Sequence, residues 1–146
     1  MFKNDNSKAT GKLTVEIKND KGVVIETREV KNLVVDDGLE YIADRMKNNS
    51  TVMSHMAIGT GSTAAAASDT ALGTEAARVA LTSTTVTANA VAYVASFGAG
   101  TGTGAITEAG ILNANSGGTL LCRTVFSVVN KGASDSMTIT WTVTIS

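Results

Sequence analysis

The stretch Met137-Thr-Ile-Thr-Trp-Thr-Val-Thr-Ile145 alternates apolar residues with threonine without a break. Successive side chains of an extended chain point to opposite faces, so Met137, Ile139, Trp141, Val143 and Ile145 share one face and Thr138, Thr140, Thr142 and Thr144 the other. A helix would scatter the same residues round its circumference, and β-branched side chains are stiff about χ1, which suits a pleated strand. The stretch therefore reads as a half-buried strand forming one wall of a core. Trp141, the only tryptophan of the chain, sits at the centre of the buried row, and the threonine row faces solvent or a neighbouring subunit.

A chain of 146 residues, 43% of them hydrophobic, supports one domain over 1–146 and no comfortable second one. Twelve basic residues against thirteen acidic ones, with no basic run to follow a phosphate backbone, argue against a nucleic-acid partner. No apolar run reaches the roughly 20 residues that cross a bilayer. The opening Met1-Phe-Lys-Asn-Asp-Asn-Ser7 lacks the apolar core of a signal peptide. The expectation is a soluble protein made in a cytoplasm, with no membrane partner. Cys122 is the single cysteine, so no internal disulfide can staple the fold. Low charge with abundant Ala, Thr and Gly makes a weakly solvated surface, which points to homo-oligomerisation.

Further strands follow from the same alternation. Leu13, Val15 and Ile17 alternate with polar residues, Asn19-Asp-Lys-Gly22 supplies turn chemistry, and Val23 to Val30 runs back. This hairpin, 12–31, either packs on the domain or projects to reach a partner subunit. From Asp36 the period changes: Leu39, Ile42, Ala43 and Met46 fall at i, i+3, i+4 and i+7, predicting one amphipathic helix over about 37–47. Asp36 or Asp37 is placed to cap it, and Leu39, Ile42 and Met46 are expected to face a sheet. His55 to Ile58 reads as a short buried strand, residues 59–69 as a surface loop, and 68–75 as room for one helical turn. Arg78 to Val86 reads as one extended stretch and Val91 to Phe97 as a strand with Val91, Tyr93, Ala95 and Phe97 on one face. Residues 98–104 are a permissive glycine loop. Thr119 to Val129 is apolar on both faces, with Leu120, Cys122, Phe126 and Val128 on one and Leu121, Val125 and Val129 on the other, as in a central or covered strand. It is expected to pair antiparallel with 137–145. The sum is a mainly β fold, an antiparallel two-sheet β-sandwich with one helix.

Candidate chemistry is sparse. Gly100, Gly102 and Gly104 do not make a phosphate cradle, because a strand-like segment follows where such a cradle needs a helix N-terminus. One histidine, His55, and one distant cysteine do not make a zinc site, so no metal or other cofactor is expected. No Gly-x-Ser-x-Gly elbow marks a nucleophile, and Cys122, mid-strand among apolar neighbours, reads as an inert buried thiol. No catalytic residue is assigned and an enzyme is not expected. Glu75, Arg78, Glu108 and Arg123 are charges in apolar surroundings, and a buried ion needs a partner, so at least one Glu–Arg pair is expected as a structural or interface contact.

Ile58-Gly-Thr-Gly61, Asp69-Thr-Ala-Leu-Gly-Thr-Glu75 with Arg78, Gly104-Ala-Ile-Thr-Glu-Ala-Gly-Ile111, Arg123-Thr-Val-Phe126, Asn130-Lys-Gly132 and Ile139-Thr-Trp-Thr-Val143 together resemble small tailed-bacteriophage virion proteins, described as tail-fibre-like or structural. Lys31-Asn-Leu-Val-Val35, Gly38-Leu39 and Ile42-Ala43 extend the likeness over most of 12–145. The resemblance implies a virion structural protein on the particle exterior; the expected partners are further copies of itself, with a trimer as the guess, and major capsid or tail proteins. It offers no catalytic residues to transfer. A capsid decoration (cement) protein is the first expectation, since nothing in the chain reads as a shaft or coiled coil. The alternative is a tail-fibre, collar or baseplate appendage. A host-glycan-binding module would use the loops 59–69 and 98–104, but neither contains an aromatic platform, although Phe97 adjoins one.

Overall fold

A computed structural model describes residues 9–48 and 50–145; the polar lead Met1–Ser7 and Asn49, expected in the turn after the helix, lie outside the described residues. The described chain forms nine strands and one helix: β1 (Ala9–Lys18), β2 (Val24–Val34), α1 (Asp36–Arg45), β3 (His55–Gly59), β4 (Glu75–Ala80), β5 (Ser83–Thr87), β6 (Ala90–Phe97), β7 (Gly104–Leu112), β8 (Leu120–Lys131) and β9 (Ser136–Ile145). All pairings are antiparallel, in the order β4-β3-β7-β8-β2-β1-β9-β6-β5. The fold is mainly β with one helix, as expected. Its strands form one continuous curled sheet, in which β2 belongs to both halves. Residues 24–32 of β2 pair with β1, and only Leu33 and Val34 pair with β8. The two outer strands, β4 and β5, are joined by Leu81 and Thr82. Leu81 N–H donates to Ser54 O (2.9 Å) and Thr82 N–H to Val94 O (2.7 Å), which draws the edges of the curl together.

The alternation of β9 is realised as read: Met137, Ile139, Trp141 and Val143 are buried, while Ile145 at the strand end is exposed. They meet Leu13, Val15 and Ile17 of β1 and Ala95 and Phe97 of β6 within one half, and face Met56, Ile58, Ile106, Ile111 and Phe126 from the other. The hairpin β1–β2 is part of the sheet, for β1 pairs along its whole length with β9, from Ala9↔Ile145 to Lys18↔Ser136. The stretch read as one extended segment from Arg78 to Val86 is two strands, β4 and β5, and 68–75 forms no helical turn.

Three expectations are corrected. β8 does not pair with β9; it lies between β7 and β2, and β9 between β1 and β6. Proximity in sequence favoured the wrong partner, because the 132–135 turn carries the chain from one half of the curl to the other. The second correction concerns β8 itself. Ile106↔Val129 and Glu108↔Val125 leave two extra residues in β8, a bulge that turns Val128 outward and puts Val129 in the same core as Phe126. The carbonyls of Ser127 and Val128 are met there by the Arg28 guanidinium at 2.8 and 3.4 Å.

The third is the buried face of α1. Leu39 and Met46 are exposed, and Gly38, Tyr41 and Ile42 turn inward. At Gly38 the helix backbone lies against the Leu121 carbonyl so closely that a Cβ would overlap it. This contact sets the rotation of the helix, overriding the apolar stripe. No side chain caps the helix; Asp36 and Asp37 occupy the first turn, where the helix dipole favours carboxylates.

Candidate functional site

β8 is apolar on both faces because the chain from Thr60 to Thr74 folds over the outer side of the β3–β7–β8 half. Leu72 packs there with Ala57, Leu112 and Leu120 in a second small core. Beneath the same segment lie Glu108 of β7 and Arg123 of β8, both buried, with Arg123 Nη2 3.0 Å from Glu108 Oε1. One carboxylate holds three N–H groups from two ends of the loop: Oε2 accepts from the N–H groups of Gly61 and Thr74, both at 2.7 Å, and Oε1 from Gly73 N–H at 2.7 Å and Arg123 Nε at 3.0 Å. Arg123 Nη1 donates to Asp69 Oδ2 (2.8 Å) and Nη2 to Thr63 O (3.0 Å), and Asp69 also accepts from Ala66 N–H at 2.9 Å. Thr107 Oγ1 adds a bond to Gly61 O at 2.8 Å.

Burial would raise the Glu108 carboxyl, but the N–H groups of Thr74, Gly73 and Gly61 together with the Arg123 guanidinium outweigh it and hold the group below its ordinary range. The glycines of the Ile-Gly-Thr-Gly stretch have a steric part in this. A Cβ on Gly59 would stand 2.7 Å from Glu108 Oε2, and one on Gly61 2.7 Å from the Glu108 carboxyl carbon. Only hydrogen at these positions lets the backbone N–H groups close on the carboxylate.

The other residues singled out in the sequence fall elsewhere. Arg78 and Glu75 form a two-pronged pair at 2.7 and 3.0 Å on β4, and Arg78 Nη1 also binds Ala114 O and Gly117 O at 2.9 Å, tying β4 to the β7–β8 turn. Trp141 is fully buried and belongs to the core. The Glu75–Arg78 and Glu108–Arg123 pairs are thus separate. Asp69, Thr63 and the loop N–H groups are the members of the buried network that sequence reading missed. A signal existed in the two Gly-Thr pairs, Gly59-Thr60 and Gly73-Thr74, which Thr60 N–H and Thr74 O join at 2.9 Å.

His55 is half-buried with Nδ1 2.8 Å from Ser54 Oγ, and Cys122 is buried, its thiol pushed well up by loss of solvent. No group of metal-ligating side chains is assembled among the described residues. The glycine loop 98–104 is fastened rather than loose: Gly100 N–H donates to Ala133 O at 2.9 Å and the buried Lys131 ammonium to Gly98 O at 2.8 Å. Desolvation draws the Lys131 pKa down, opposed by the Asp135 carboxylate. Glu108 and Arg123, both buried, are committed to holding loop backbone. Comparison with protein-family models, curated proteins and solved structures gives no match.

Proposed function

We propose that this chain is a structural protein of a tailed-bacteriophage virion, exposed on the particle and assembled as a homo-oligomer, with no enzymatic role. The observation that carries the reading is the Glu108–Arg123 clasp. Gly59, Gly61, Asp69, Gly73, Thr74, Glu108 and Arg123, all within the motifs that carry the resemblance, meet in it. In this reading they are a fold signature: they fix the 60–74 segment as a rigid outer surface, and the two halves of the curl act as the layers of a sandwich. Such a body works mechanically, through modest contacts repeated over an array, where avidity replaces individual affinity.

Capsid decoration is the placement we favour, on a shell of major capsid protein, with a trimer as the expected unit. Imaging virions that carry a tagged copy, against particles lacking the protein, tests it. Regular density on the capsid lattice that disappears in the control is the expected result. Density confined to the tail or neck would replace decoration with an appendage role, and absence of any density from purified virions would overturn the virion reading itself.

A further inference from the structure

The strand order ends at β5, which pairs with β6 on one side and with no strand on the other among the described residues. All of its residues, Ser83-Thr-Thr-Val-Thr87, are exposed. An open edge offers a row of N–H and C=O groups to any extended chain, and folds blunt such edges with charge, proline or a bulge. This fold does so elsewhere. β4, at the other end of the order, carries the Glu75–Arg78 pair. β8, beyond its short pairing with β2, has a bulge and the Arg28 guanidinium on its Ser127 and Val128 carbonyls. β5 has neither device: its pairing with β6 runs without a register shift, and no charged residue occurs between Arg78 and Glu108. Thr84, Thr85, Val86 and Thr87 are β-branched, the side chains that suit a pleated strand.

The edge is also held in place. Before it, the N–H groups of Leu81 and Thr82 donate to Ser54 O and Val94 O at 2.9 and 2.7 Å; after it, Ile145 N–H donates to Asn89 O at 2.9 Å and Asn89 Nδ2 to Ile145 O at 2.6 Å. A strand fixed at both ends loses little entropy when another pairs with it. We infer that β5 is the docking edge for β5 of a second copy of this chain, the two strands running antiparallel about a two-fold axis. An interface on such an axis must complement itself. Centred on Thr85, the pairing sets Thr85 against Thr85, Thr84 against Val86 and Ser83 against Thr87, so no charge meets a like charge and threonine pairs cross the axis. A charged peptide would find no counter-charge within β5. Val86, 69% exposed beside a hollow of about 330 Å³ that Thr84 also lines, comes to lie against Thr84 of the second copy and adds apolar area to the main-chain bonds. The inference rests on the homo-oligomer part of the function proposed above and specifies its contact. Being two-fold, it makes a pair, in place of a trimer, the unit expected of the free protein.

The test places charge on the axis. Thr85→Lys and Thr85→Glu both alter an exposed side chain, and fluorescence of the buried Trp141 checks that each variant folds. Molar mass is followed by sedimentation velocity over a concentration series. The wild type is expected to pass from monomer to dimer, and each variant alone to pair about tenfold or more weakly, because like charges then stand opposite each other. An equimolar mixture sets lysine against glutamate and should pair about tenfold or more tightly than either variant alone. Variants that keep the wild-type affinity, or a mixture that pairs no better than its components, overturn this edge as the contact and leave the homo-oligomer standing. A wild type that stays monomeric overturns both. The virion placement is judged separately by imaging.

Discussion

Glu108→Gln replaces one oxygen of the buried carboxylate by an amide nitrogen and changes little else. Whichever side the –NH2 takes, it faces two donors: Gly61 N–H and Thr74 N–H on one oxygen's side, Gly73 N–H and Arg123 Nε on the other. The substitution also leaves the Arg123 guanidinium with Asp69 as its remaining carboxylate, at a site where Arg123 is 2% exposed. Removing one partner of a buried ion pair costs about 3–5 kcal/mol. That is a large share of the ~5–15 kcal/mol by which a domain is stable. At about 3 °C per kcal/mol for a chain of this size, the midpoint of thermal unfolding should fall by roughly 10–15 °C. Circular dichroism reads the loss, and limited proteolysis reads whether 60–74 opens first. Arg123→Met completes a double-mutant cycle, in which a coupling of at least about 1 kcal/mol is expected between the two positions. A loss under about 1 kcal/mol, with protease sensitivity unchanged, would refute the reasoning by showing that the clasp does not hold the loop.

The depressed Glu108 pKa gives a pH dependence of definite sign. A carboxyl lower in the folded state stabilises fully above its unfolded value, about 4.3, and the contribution is lost as pH falls through the lower folded value; the gap in stability between wild type and Glu108→Gln should therefore shrink below about pH 4 in acid titrations followed by circular dichroism. Gly61→Ala should destabilise by about 2 kcal/mol or more through overpacking against the carboxylate, while Gly98→Ala, with no atom within 4 Å of the added Cβ, should stay within about 0.5 kcal/mol in urea melts. Cys122 should react with a thiol reagent about a thousandfold or more slowly in the native state than in guanidinium, in line with the small unfolded fraction of a stable domain. Rapid labelling of native protein would contradict its burial.

Local pattern alone determined most of the elements. The period-two runs of β1, β6 and β9 announced strands and named their buried faces, because alternation is a property of the extended chain whatever it pairs with. The change of period after Asp36 announced the helix. The need of buried charge for a partner pointed to a Glu–Arg pair before any contact was known. Tertiary structure decided the rest. Which strands pair depends on the path of the whole chain round the curl, so β8 joined β7 and β2 rather than its neighbour in sequence. The rotation of α1 was set by one close approach, Gly38 on the Leu121 carbonyl, and not by the stripe that Leu39 and Met46 suggested. The outer face of β8 needed the covering loop before its apolar residues and its arginine made sense together. Backbone N–H groups leave no mark in a sequence, and it took the folded loop to show that Gly61, Gly73 and Thr74 converge on one carboxylate.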